Sequence, residues 1–294
     1  MVTKRTKGEY IFDFINVLIM ILMIVVTFYP IYYVITCSLS DSKYLWGDKG
    51  LMLLPKGFNF ESYKAVLQNP NIITGYRTTL IVVFFGTVIN VVMTSLAAFL
   101  LTRQDFRIKK PLGYMMIFTM YFSGGMIPSY LLIYKFLGLG DNLLALILPG
   151  AISTYNMIIM RTNFAAIPRS LEESAFLDGA NDLVVLFRIV MPLSLPIIAV
   201  MVLFYGVGHW NSWFNAMLYM RTRSKYPLQL ILREILLINA TDSMSGDTGA
   251  SDKYAMGESI KYATTMVATL PILFVYPFIQ KYFVKGMMVG AVKG

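Results

Sequence analysis

The sequence predicts an all-α fold, a polytopic membrane bundle of six transmembrane helices with one short capped helix in a loop. Three observations carry this. Of 294 residues, 57% are hydrophobic and only 14% charged, where soluble domains carry about a quarter charged residues. Apolar runs long enough to cross a bilayer recur along the whole chain. No polar stretch is long enough to supply a soluble domain, so one bundled membrane domain is the better count.

The first apolar run, about 12–38, follows Lys4, Arg5 and Lys7. It is longer than a signal-peptide core and ends without a small-x-small cleavage site, so it reads as a retained span. Further spans fall at about 78–101, 111–137, 143–164, 188–218 and 258–281. Ser123, Gly124, Gly125 and Pro128 interrupt the third, which predicts a kink or a partly re-entrant segment. Pro192, Pro196, Gly206 and Gly208 interrupt the fifth in the same way. The segments at 39–77 and 219–257 read as long loops, the second holding a polar, glycine-punctuated tract at 241–251 whose plain reading is a disordered connector.

The net charge of +9 is spread over loops and span ends rather than gathered in a stripe. This argues against nucleic acid and for the lipid membrane as the partner. Basic residues divide almost evenly between the two sides, but Arg103, Lys109 and Lys110 crowd one tight turn. That turn places both termini in the cytoplasm. Cys37, the single cysteine, excludes an intramolecular disulfide.

Catalytic groups are nearly absent. There is one histidine, His209, and no zinc-protease, nucleophile-elbow or Cys/His pattern, so no catalytic and no metal-binding residues are assigned. No phosphate-binding G-x-x-x-x-G-K-[ST] loop is present either. Carboxylates are missing from the middle of the spans, where ion-coupled carriers keep them. An energy source outside the chain is implied.

One loop stands out. In 168–180, Ser170 and Glu173 have capping-box spacing, Glu172 adds charge to the first turn, and Gly179 is placed to end the helix before Asn181 or Asp182 starts another. Ala175, Phe176, Leu177 and Asp178 lie between, and apolar residues kept in such a loop point to a covering protein. Glu173-Ser174-Ala175-x3-Gly179-x9-Ile189-x-Met191-Pro192 resembles the EAA signature, E-A-A-x3-G-x9-I-x-L-P, of binding-protein-dependent ABC importer permeases. It departs from that signature at Ser174 and Met191.

The likeness extends from about residue 70 to the end. The segment Trp210-Asn211-Ser212-Trp213-Phe214, the segment 280–286 and the closing Gly290-Ala291-Val292-Lys293-Gly294 are similar to the carbohydrate-uptake branch, to the second permease of maltose-type importers and to permeases for complex saccharides. The resemblance implies a first helix and outer loop (1–69), a transmembrane core (70–285, coupling loop 168–192) and a cytoplasmic tail (286–294). It implies a bacterial plasma-membrane subunit that is no enzyme and binds no cofactor. ATP and Mg would be used by two ATPase subunits, alongside a second, different permease and an extracytoplasmic solute-binding protein. Ser170, Glu172, Glu173, Ala175, Phe176, Leu177, Asp178, Gly179 and Pro192 would couple to the ATPase.

Tyr155, Asn156, His209, Trp210 and Asn211 are candidates for the sugar path, because rings stack on pyranose faces and amides bind hydroxyls. Interhelical bonding or interfacial anchoring explains His209-Trp210-Asn211 more simply. Ser243, Ser245, Gly246, Asp247 and Gly249 are candidates for contact with the binding protein. An amine or osmolyte importer is the alternative, and an integral-membrane enzyme a remoter one.

Overall fold

The computed structural model describes residues 6–47, 52–244 and 251–291, without the side chains of 46–47, 238–244, 251–256, 278–279 and 281–291. Among the described residues every regular element is helical. In chain order these are α1 (Lys7–Ser38), α2 (Ser42–Gly47), α3 (Glu61–Gln68), α4 (Pro70–Thr102), α5 (Lys109–Tyr121), α6 (Met126–Tyr130), α7 (Leu144–Ile147), α8 (Thr154–Phe164), α9 (Arg169–Leu177), α10 (Asp182–Val185), α11 (Met191–Leu193), α12 (Leu195–Trp210), α13 (Phe214–Tyr219), α14 (Leu228–Met244) and α15 (Ser251–Ala291).

Three helices are long and apolar enough to cross a membrane unaided: Lys7–Ser38, Pro70–Thr102 and Gly257–Pro277. Three bent pairs bring the total to six. They are Lys109–Tyr121 with Met126–Phe136 (115°), Leu144–Gly150 with Thr154–Phe164 (52°), and Asp182–Leu193 with Leu195–Trp210 (90°). The first bend falls at the expected glycines, where Phe122 is extended and Gly125 has φ 87°. The last falls at Ser194, between the two prolines whose missing N–H groups weaken the ladder.

Several expectations need correcting. Gly206 and Gly208 do not break the fifth span; they lie inside α12, which stops at Trp210 rather than 218. Pro149 and Gly150 break the fourth span, which had read as continuous. The second span begins eight residues early, at Pro70, a residue suited to the first helical turn because it has no N–H to leave unpaired. The 219–257 segment is largely helical, α14 running to Met244 and α15 starting at Ser251. Of the stretch assigned to the tail, 286–291 continue α15, and 292–294 lie outside the described residues.

The chain divides into two compact units, Met1–Asn69 with Glu234–Thr269, and Pro70–Arg233 with Leu270–Gly294. In the first, Thr6 caps α1 through a reciprocal pair with Glu9, Thr6 N donating to Glu9 Oε2 at 2.7 Å. The surface of α1 is exposed along its apolar stretch from Tyr10 to Phe28, as suits a helix whose surroundings are hydrocarbon. Its last turn is buried: Cys37 Sγ lies 3.6 Å from Met52 Sδ, Ser38 Oγ meets Tyr63 OH at 2.7 Å, and Tyr33 packs edge-on against Tyr262.

In the second unit α4 packs against α8 and α12. Lipid is as apolar as leucine, so close approach and hydrogen bonds replace the hydrophobic drive. The α4 face that does the packing accordingly carries Gly86, Thr87, Asn90, Thr94, Ser95 and Ala98, all buried. One apolar cluster gathers Phe99, Met157, Met160, Phe164, Leu186 and Met201. A second gathers Val82, Ile133, Ile147, Ala216, Tyr219 and Leu230.

Candidate coupling loop and translocation surface

The loop after α8 sits at the C-terminal end of α4. Pro168, extended at ψ 125°, precedes α9 and makes no side-chain cap. The capping box expected from Ser170 and Glu173 is therefore not formed. Helix starts at Arg169, so Ser170 is already helical, and its carbonyl accepts from Ser174 Oγ at 2.8 Å. Ser170 and Glu173 are exposed.

Glu172 is occupied differently from the expectation. Its carboxylate pairs with the Arg103 guanidinium, which also reaches Asp182 Oδ1 at 2.5 Å and lies 4.7 Å above the Phe176 ring and 4.5 Å above Phe99. One arginine at the end of α4 thus holds both the start of α9 and the start of α10. Sequence reasoning used Arg103 only for its charge, because nothing local marks a partner 79 positions away.

The end of α9 follows the expectation for Gly179, which has φ 84°. Its N–H bonds the Phe176 carbonyl and that of Ala180 bonds Ala175, the paired bonds of a Schellman ending. Asn181, rather than Asp182, caps α10 by accepting from Val184 N at 2.9 Å. Ala175 is buried beneath α9, Phe176 is partly covered by Arg103, and Leu177 stands 89% exposed. Asp178 and Pro192 are exposed. The loop therefore presents a fixed helix with an uncovered apolar tip.

The candidate path residues do not form one cluster. Tyr155 is exposed, while Asn156 is 7% exposed in the first turn of α8, its N–H on Ser153 Oγ. His209 Nε2 lies 2.6 Å from Asn90 Oδ1, and the Asn90 amide donates to the Gly150 carbonyl. Tyr205 OH meets Thr94 Oγ1 at 2.7 Å and accepts from Ser153 N at 3.1 Å. These bonds form a buried polar layer tying α4 to α12 and to the broken fourth span. Asn90 was missed, although an asparagine in the run Val88-Ile89-Asn90-Val91 is the intramembrane polar residue that would have marked it.

Trp210 packs edge-on to Tyr76 and lines a groove of about 750 Å³ between α4, α12 and α15, whose lining is apolar apart from Thr87, Tyr76, Tyr276 and the indole of Trp210 itself. Asn211 is exposed at the C-cap of α12. Of the residues assigned to the binding protein, Ser243 falls on the backbone of α14. Ser245, Gly246, Asp247 and Gly249 lie outside the described residues.

At the opposite end of the same unit, Asp141 joins two loops. Its carboxylate accepts from Thr222 Oγ1 (2.6 Å), Lys225 Nζ (2.8 Å) and the N–H groups of Arg221 and Thr222 (both 3.0 Å). The Lys225 ammonium, then the Thr222 hydroxyl and these backbone donors, hold the Asp141 carboxyl well below the usual carboxylate range.

The comparisons agree with this architecture. The chain is 39% identical over 290 residues to "Protein LplC" of Bacillus subtilis (strain 168), covering 99% of this chain and 97% of that protein. It is 40% identical over 286 residues to the polygalacturonan/rhamnogalacturonan transport system permease protein YtcP of the same organism, covering 97% and 99%. A chain of a bacterial ABC transporter involved in importing the acidic polysaccharide alginate superposes with a TM-score of 0.85 at 30% identity, over 96% of this chain and all of that one. No protein-family model matches the chain. The fold and these relatives define a multi-pass membrane transport subunit. The chain belongs to the permease subunits of ABC sugar importers.

Proposed function

We propose that this chain forms half of the translocation path of an ATP-driven importer for an oligosaccharide or complex saccharide, in a bacterial plasma membrane. It would work with a second permease, two ATPase subunits and an extracytoplasmic binding protein. The relatives named for polygalacturonan, rhamnogalacturonan and alginate support the saccharide assignment.

The observation that carries the coupling role is α9. It is clamped to α4 through Arg103, closed by Gly179, and tipped by the bare side chain of Leu177. An apolar tip held rigidly outside the spans is what a cleft on a partner subunit needs. With no phosphate-binding loop in this sequence, the partner ATPases bind ATP and Mg, and this chain binds no cofactor of its own.

Both termini are assigned to the cytoplasm. The loop ties support both termini sharing the side of α9, because Arg103 joins the segments after the second and fourth spans, and Asp141 joins those after the third and fifth. Loops that touch must share a side of the membrane, and alternate spans put them there.

Reconstituted vesicles test the reading. ATP is supplied on the side of α9, binding protein and oligosaccharide on the other, and a proton gradient is imposed or collapsed. Uptake that requires ATP and binding protein supports it. Uptake that follows the gradient without ATP sinks it.

A further inference from the structure

The bend in the third span lies between the two sides of the membrane. α5 starts beside the loop that holds α9, where Lys109 Nζ donates to the Arg103 carbonyl at 2.9 Å, and Met126–Phe136 leads on to Asp141 at the opposite end. Between the two helices the backbone of 122–125 is unwound. Among the described residues the N–H groups of Ser123, Gly124 and Gly125 meet no acceptor. Every residue from Ile117 to Ser129 is exposed, so no other part of this chain covers the break.

Unwound backbone at membrane depth is tolerated only against protein or water. Lipid tails offer no acceptor at all. A neighbouring spanning helix offers only an occasional side chain, because its carbonyls are spent on its own N–H groups. Water and the oxygens of a hydroxyl-rich solute suffer neither limit.

The face beside the break is aromatic. Tyr114, Phe118, Tyr121 and Phe122 recur at helical spacing, 57–76% exposed, and the Phe118 and Phe122 rings stack at 4.5 Å. The first turn of α8 borders this face: Thr154 Oγ1 donates to the Met116 carbonyl at 3.3 Å, and Tyr155 next to it is exposed. Ring faces carry negative charge density, which attracts the C–H groups on the flat side of a pyranose. Gly124 leaves the backbone bare, since no atom lies within 4 Å of a Cβ placed there. A ligand can therefore approach the peptide closely.

We infer that this stripe and this break form the carbohydrate track of the chain. Pyranose rings stack on Phe118, Tyr121 and Phe122, and their oxygens accept from the N–H groups of Ser123, Gly124 and Gly125. This rests on the proposed function, since it assigns a path within that importer.

The test uses the full transporter with its binding protein in vesicles. In a Cys37→Ser background, Ser123→Cys is treated during ATP turnover with a charged thiol reagent that does not cross bilayers. It reacts, whereas Val25→Cys on the lipid-facing stretch of α1 does not. A reaction no faster than that of Val25→Cys overturns the inference. So does a reaction seen in the isolated chain and lost in the assembled transporter, which assigns the break to a partner subunit. Uptake is followed with labelled trigalacturonate and labelled maltotriose. Gly124→Val, whose side chain meets nothing in this chain, lowers uptake of whichever compound the wild type moves by about tenfold. Phe118→Leu with Tyr121→Leu and Phe122→Leu, which keeps the face apolar, does the same. Unchanged uptake in both variants overturns the track and leaves the saccharide-importer reading standing. A leucine variant that no longer copurifies with the second permease assigns the rings to the subunit interface and also overturns it. A wild-type transporter that hydrolyses ATP and moves neither compound sinks the saccharide reading, and the track with it.

Discussion

Arg103 and Asp182, 79 positions apart, meet at 2.5 Å, and the same guanidinium takes the carboxylate of Glu172. The orientation of α9 is therefore set by α4 rather than by its own short sequence. A nine-residue helix is too short to hold itself in water.

Replacing Arg103 by methionine keeps much of the packing over Phe99 and Phe176 but leaves Glu172, 14% exposed, without its partner. A loss of about 1–3 kcal/mol follows. Thermal unfolding of the purified chain reports that loss, and pull-down of the ATPase subunits reports a weakened attachment. Wild-type values in both would show that the arginine does not hold the loop.

Gly179→Val places a β-branched residue at φ 84°, at a cost of about 1–2 kcal/mol or more. No atom lies within 4 Å of the added Cβ, so the effect comes from the backbone and not from crowding within this chain. Gly179→Asn, which tolerates that conformation better, is expected to retain more substrate-stimulated ATP hydrolysis than Gly179→Val. Equal behaviour of the two would separate the ending of α9 from coupling.

Asn90→Leu removes the bond to the Gly150 carbonyl and the contact with His209 together. Double-mutant cycles between membrane helices give small values, so about 1–2 kcal/mol is expected. Gly86→Ala acts on the same contact by a different route, because its Cβ would lie 2.5 Å from His209 Nε2. The cycle of Asn90→Leu with Gly86→Ala, read from unfolding midpoints in detergent, should be non-additive. Simple additivity would mean that the histidine is not the shared element.

Acid weakens the tie between the loops at Asp141, but late. Its carboxyl is depressed in the folded chain, so the ionised form contributes stability that is fully present above the usual carboxylate range. That stability is lost as pH falls towards the lowered value. Hydrogen exchange at the N–H groups of Arg221 and Thr222 should stay slow through mildly acidic pH and accelerate only in stronger acid. In Asp141→Asn both groups should exchange faster at neutral pH.

The spans were legible because apolar length is a property each segment carries alone. The third and fifth breaks were legible because Gly124, Gly125, Pro192 and Pro196 act on their own backbone. The break at Pro149 and Gly150 hid inside an otherwise regular run, and α14 hid in a segment whose polar end resembles a connector. In the candidate site, Gly179 could be read from its neighbours, since only a local left-handed ending was needed. The capping box could not, because the helix starts two positions early, with Pro168 and not Ser170 at its N-cap. Arg103 with Glu172, Asn90 with His209, and Asp141 with Lys225 are pairings of distant segments, and no single stretch of sequence specifies its partner.

The 90° corner at Ser194 makes the segment after α9 a crank with two unequal arms. The arm from Asp182 to Leu193 is about 18 Å long at the usual rise, and the 16 residues of α12 span about 24 Å. If the corner stays rigid, a push on the free end of the short arm arrives at Trp210 enlarged by about a third. The buried polar layer would carry α4 with it, so the stroke moves two spans for one corner turned.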